Sequence, residues 1–107
     1  KKSMLVLVPE LQGRVMTSTL NGEEGLSFGW LNYDLIRSKK IKEHINPTGG
    51  EERFWLGPEG GQFSLYFKPG VSFDFVNWFV PSVLDTETFT VKEKKKNSAT
   101  FQKEMNL

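Results

Sequence analysis

A strand-length apolar run opens the chain, Met4-Leu5-Val6-Leu7-Val8, and turn formers cut it off at once with Pro9-Glu10-Leu11-Gln12-Gly13. Residues 15–20 follow, with Thr17 and Thr19 as β-branched residues that suit a pleated surface. Asn21-Gly22 then supplies a second turn, because both residues tolerate positive φ. Short apolar segments interrupted in this way predict hairpins. Helical spacing arises only over residues 34–45, a short lysine-rich stretch before Pro47 that reads as a loop with one turn of helix.

The same pattern continues downstream. Residues 28–36 read as a strand, and residues 62–68 alternate Phe63, Leu65 and Phe67 with Gln62, Ser64, Tyr66 and Lys68, which puts three apolar side chains on one face. Val71, Phe73 and Phe75 repeat the alternation after Pro69-Gly70, and Phe89 and Val91 begin another strand. Residues 92–97 read as a solvated strand end and turn, with a polyanion patch as the alternative. Ala99, Phe101, Met105 and Leu107 fall on one face of a final strand. The expected fold is all-β, an antiparallel β-sandwich forming a single β domain over residues 1–107, with a core drawn from nine Phe and three Trp. The chain stops inside an alternating pattern, which predicts the N-terminal fragment of a longer domain or a homo-oligomer assembled through open sheet edges.

Charge and composition exclude several classes. A formal net charge of +1 creates no global field toward nucleic acid or an anionic membrane. The absence of Cys rules out disulfides and thiolate metal sites, and no apolar run approaches the roughly 20 residues of a membrane-spanning helix. The chain starts Lys1-Lys2-Ser3, which leaves room for a removed signal peptide and a periplasmic or other extracytoplasmic setting; the compartment is otherwise open. No phosphate-binding loop, Gly-x-Ser-x-Gly elbow or His-Glu-x-x-His helix occurs, so no cofactor and no metal are expected.

Candidate chemistry gathers in residues 46–67, which hold five Gly, three Glu, one Arg and aromatic side chains. Carboxylates, a guanidinium and aromatic faces line sugar sites, so the ligand expected is a sugar or glycan. Arg53 offers a rigid fork of donors to ring oxygens or a carboxylate, or else an ion pair with Glu51 or Glu52. Glu59 accepts sugar hydroxyls or acts as a general base, or else takes turn N–H groups. Gln62 adds a hydrogen-bonding amide. Trp55 and Trp30 stack on a pyranose or fill the core, and Trp78 reads as core. His44 has the pKa for proton transfer, or is an exposed loop residue. Glu51, Glu52 and Asp34 offer oxygens to a hard cation, at a spacing that matches no loop motif.

Two stretches carry a family resemblance. Val6-Leu7-Val8-Pro9-Glu10-Leu11-Gln12-Gly13-Arg14-Val15-Met16 resembles the first hairpin of galactose mutarotase-like proteins. Gly49-Gly50-Glu51-Glu52-Arg53-Phe54-Trp55-Leu56-Gly57-Pro58-Glu59-Gly60-Gly61-Gln62 resembles a motif of uncharacterised bacterial, Bacteroides-type proteins related to that superfamily of aldose 1-epimerases. The resemblance implies a large β-supersandwich with a concave sugar-binding face, of which this chain would be the N-terminal part. Epimerases of that fold open and reclose a pyranose with a histidine acid and a glutamate base from later strands. Neither role maps onto His44 or any glutamate here, so the resemblance implies a carbohydrate-binding or carbohydrate-processing protein without assigning catalytic residues. The alternative is a non-catalytic β-sandwich module with a structural or glycan-scaffolding role.

Overall fold

A computed structural model describes residues 2–107. The first hairpin pairs β1 (Met4–Val8) antiparallel with β2 (Arg14–Thr19), from Met4 opposite Thr19 to Val8 opposite Arg14, with a bulge between Val6 and Leu7. Its turn is a 3-10 segment, Pro9–Leu11, closed by Gln12 and Gly13 at φ 61° and 62°. For Gln12 that left-handed backbone costs about 1 kcal/mol. Tertiary bonds hold it there: the Phe89 N–H donates to the Pro9 carbonyl (2.9 Å), and Gln12 Nε2 donates to the Glu87 carbonyl (3.0 Å).

The Gly-rich window attaches to the other edge of β2. The Val15 N–H donates to the Glu52 carbonyl at 2.9 Å, and the Glu51 N–H donates to the Val15 carbonyl at 2.8 Å. Just before it, β4 (Gly49–Gly50) pairs with β3 (Trp30–Leu31). A Cβ at residue 49 would lie 2.2 Å from the Trp30 carbonyl oxygen, and φ there is +87°, so this pairing requires glycine. The last hairpin joins β5 (Thr90–Lys94) to β6 (Ala99–Gln102), with a turn in which the Lys95 N–H donates to the Ser98 carbonyl.

The architecture is therefore antiparallel β, in three two-stranded sheets with few helices. Several expected strands are absent from it. Residues 28–36 contribute only β3 before α1 (Tyr33–Ser38) begins, because the Asn32 side chain accepts the Leu35 N–H (3.2 Å) and caps the helix while its Nδ2 donates to the Pro47 carbonyl. Residues 62–68 form turns, and Tyr66, on the supposed outer face, is the side chain buried there, whereas Phe63 is exposed. Ser64 explains the change: its hydroxyl donates to the Glu59 carbonyl (2.7 Å) and accepts the Tyr66 N–H (3.0 Å), so local side-chain bonds replace a ladder. Residues 71–77 likewise close on a Ser72, Asp74 and Asn77 knot and a 3-10 turn, Phe75–Asn77. The final strand stops at Gln102 rather than continuing to Leu107.

The core is small. Tyr66, Val83 and Leu84, the last two on α2 (Ser82–Asp85), are packed by Trp55, Leu56, Phe67, Trp78, Val80 and Met105. Trp30 is 63% exposed and Phe28 88%, so neither joins the aromatic core expected of them. The Cα radius of gyration is 15.8 Å, against about 13 Å for a compact domain of this length, and the long axis is 51 Å. Such a shape leaves much apolar surface in solvent.

The glycine geometry separates scaffold from loop. Gly49→Ala is expected to destabilise by at least about 2 kcal/mol. Gly60, with nothing within 4 Å of a would-be Cβ, accepts alanine with a change within about 0.5 kcal/mol. Urea unfolding of the two variants tests this, and equal effects would refute it.

Candidate functional site

The polar interior is built on Arg14 at the start of β2. Its Nη1 donates to Thr48 Oγ1 (2.8 Å) and to the Gly49 carbonyl (2.9 Å), and its Nη2 donates to Gln12 Oε1 (3.2 Å). Arg14, Gln12, Asn46, Thr48 and Asp85 are all buried. Asp85 Oδ2 accepts both the backbone N–H and the side-chain Nδ2 of Asn46, each at 2.8 Å. Arg53 closes the group. Its Nη2 donates to the Leu84 carbonyl and lies 3.6 Å from Asp85 Oδ1, an ionic contact rather than a hydrogen bond.

Two guanidiniums thus share one buried carboxylate. Burial, then the charge of Arg53, pushes the Arg14 pKa down to about 10, while Asp85 pulls it back up. Burial lowers Arg53 as well, opposed by Asp85. Arg14 Nε, Arg53 Nε and Asp85 Oδ1 are buried without hydrogen-bond partners; each such orphan costs about 1–3 kcal/mol.

Outward from Arg53 runs an aromatic relay. Its Cζ lies 4.3 Å from the Trp55 ring centroid, and the Tyr66 ring stacks on Trp55 at 4.8 Å with a 9° interplanar angle. The Tyr66 hydroxyl donates to the Leu56 carbonyl at 2.6 Å, and burial raises its pKa. Trp55 Nε1 donates to Glu59 Oε1 at 2.8 Å.

The structure thus brings Arg53, Trp55 and Glu59 together and leaves Gln62 exposed in the following turn. Glu59 binds an indole N–H, not the turn N–H groups, and the ion partner of Arg53 is Asp85, not Glu51 or Glu52. Glu51 faces elsewhere. Its Oε2 accepts the Ser18 hydroxyl, and its Oε1 accepts the Ser27 hydroxyl (3.0 Å) and the N–H groups of Ser18 and Gly29. It therefore clamps the segment before β3 onto β2. His44 is half-buried between Phe75 and Phe79, with Nδ1 2.8 Å from the Trp78 carbonyl, instead of free in a loop. Among the described residues no group of three acidic or His side chains is placed to hold a metal ion.

Two spaces open beside Arg53. An outer cleft of about 480 Å³ is lined by Gln12, Gly13, Val15, Glu52, Arg53, Phe54, Phe89, Phe101, Lys103 and Met105. A smaller one of about 270 Å³ is lined by Arg14 and residues 49–53. Lys103 at the outer rim pairs with Glu87 at 2.6 Å. Sequence reasoning singled out neither Arg14 nor Asp85. The Gly13-Arg14 pair stood inside the first resemblance and offered a signal for Arg14; Asp85, an acid inside Val83-Leu84-Asp85-Thr86, offered none.

Two outcomes follow. Asp85→Asn removes the counter-charge beside buried Arg14 and half-buried Arg53 and is expected to lower stability by about 3–5 kcal/mol in urea unfolding; a loss below about 1 kcal/mol would contradict the shared-acid arrangement. The Ser18 hydroxyl, foremost, holds Glu51 below its ordinary 4.5, so its contribution is present above that value and lost as pH falls through the lower folded-state value. Glu87 is lowered in the same direction, chiefly by its bond from Lys103. The melting temperature should therefore fall on acidification from about pH 6 to about pH 3, and Glu51→Gln should make that fall shallower. An unchanged slope would show that the clamp does not form.

Compared with known proteins, the chain matches no curated protein and no solved structure. One family does match, along all of residues 1–107. The chain belongs to DUF6786, a family of unknown function.

Proposed function

We propose that the protein binds or processes carbohydrate, and that its antiparallel ribbons are part of a β-sandwich of galactose mutarotase-like supersandwich form. The observation that carries this reading is the outer cleft, where Arg53 and the exposed Glu52 stand beside Phe54, Phe89 and Phe101, the Gln12 amide being taken up by Glu87 and Arg14. Sugars ask for this combination, because charged groups bond hydroxyls while aromatic faces cover the apolar face of a pyranose. About 480 Å³ also lies within the usual range of small-ligand clefts. Glu59 and Gln62, on the exposed loop beyond Trp55, do not line this cleft and stay in the reading only as candidate ligand groups of that loop. Trp55 itself acts through Arg53, since its ring already carries the guanidinium and Tyr66.

A second reading, a non-catalytic module with a structural or glycan-scaffolding role, is favoured by one observation. Phe28, Trp30, Phe63, Phe73 and Phe75 are all more than half exposed, more aromatic surface than a free-standing sugar binder needs. Calorimetric titration with galactose, glucose and their oligomers separates the two. Carbohydrate binding in the cleft predicts that Phe54→Ala weakens affinity at least about ten-fold with an unchanged melting temperature, and that Phe63→Ala, outside the cleft, leaves affinity alone. No heat with any sugar would reject the first reading. Polarimetry of freshly dissolved α-galactose then tells binding from turnover.

A further inference from the structure

The last hairpin turns one face toward the first. A Cβ at residue 13 would lie 2.9 Å from Phe101 Cδ2, so the Phe101 ring covers Gly13. Val91 stands opposite Phe101 and Lys94 opposite Ala99, with the bulge between Val91 and Glu93, which puts Val91, Lys94, Ala99 and Phe101 on that one face. On β1, Leu5 and Leu7 share a face with Val15, the partner of Leu7, and Val15 borders the same cleft as Phe101. The two faces therefore look toward each other.

At the Gly13 end they are closed by Phe101. Toward the β5–β6 turn the hairpin face carries Ala99 and Lys94 instead, and a slot of about 590 Å³ remains between β1 and that turn. Met4, Leu5 and Leu7 form one wall with Ser3, and residues 94–99 form the other. Leu5 is 63% exposed although it lies on the inner face. Three lysines, Lys94, Lys95 and Lys96, belong to the second wall. Glu93 pairs with Lys95 at 3.1 Å, and among the described residues Lys94 and Lys96 have no ion-pair partner. The slot shares no wall residue with the cleft at Arg53.

We propose that this slot binds an anionic amphiphile, a fatty-acid carboxylate, with its alkyl chain between Leu5, Leu7 and Ala99 and its headgroup at Lys94 and Lys96. Leucine walls gain from burying methylenes, and two unmatched ammonium groups gain from one carboxylate at the slot's mouth. The volume lies within the range of small-ligand clefts. An extended peptide fits this slot less well, because apolar walls leave its backbone N–H and C=O groups without partners.

Decanoate, laurate and 1-decanol, each kept below its micelle or solubility limit, are titrated into the full chain by calorimetry. The acids should saturate one site. Decanoate should bind at least about three-fold more tightly than 1-decanol, and laurate about ten-fold more tightly than decanoate, since each buried methylene is worth about four-fold. Lys94→Gln combined with Lys96→Gln should remove the preference for the acid and leave 1-decanol affinity unchanged. Leu5→Glu should abolish laurate binding at an unchanged melting temperature, whereas Leu20→Glu and Phe63→Ala, at exposed apolar positions outside the slot, should keep it. Equal affinity for decanoate and 1-decanol overturns the proposal, as does laurate binding that survives Leu5→Glu, that is lost in either outside variant, or that never occurs.

Discussion

Asp85 is the group on which most of the arrangement depends. It sits on a four-residue helix, 39 residues in sequence from Asn46, yet it accepts two bonds from Asn46 and faces Arg53. Through Arg53 it ties the Gly-rich window to α2. Its field also reaches Arg14, the residue that gathers Gln12, Thr48 and Gly49. The elements so joined are too short to hold together by themselves, since two-stranded ribbons and single helical turns are marginal in water. A buried ionic group next to the small core therefore sets how the ribbons meet. Such a centre is weak evidence for high stability but a strong constraint on geometry.

The same economy explains the surface. Only a handful of apolar side chains are fully buried, and the packed cluster gathers around Tyr66, Val83 and Leu84. The aromatic residues that would enlarge a core are divided instead between a relay at Arg53, a cage around His44 and an exposed set including Phe28, Trp30 and Phe63. The candidate site lies at the first of these, where apolar rings and unsatisfied donors occur together. Backbone pairing of the window with β2 positions Glu51 and Glu52, and Arg53 follows directly where the chain leaves that strand edge.

Hairpin formation was legible because it is local. Pro9, Gly13 and Asn21-Gly22 punctuate β1 and β2, and the β5–β6 pair follows from alternation around a polar turn. The alternation at residues 62–68 misled for an equally local reason: it counts side chains, whereas Ser64 diverts the backbone groups that a strand would need. At the site, the window from Gly49 to Gln62 holds Arg53, Trp55 and Glu59 close in sequence, and the structure keeps these three in contact through the Trp55 ring. Glu51, in the same window, was drawn the other way by Ser18 and Ser27, partners distant in sequence.

By itself, then, the sequence determined the first and last hairpins, the absence of thiol chemistry, the near-neutral charge and the segment where polar and aromatic groups crowd together. Those are properties of composition and of neighbours within a few residues. Tertiary structure alone decided that Asp85 would neutralise Arg53, that Arg14 would lie beside them without a full set of partners, and that Phe89, Phe101 and Lys103 would complete the cleft. Burial and Coulomb interaction depend on distance in space, and the chain closes these distances only when α2 and the last hairpin fold back onto the first.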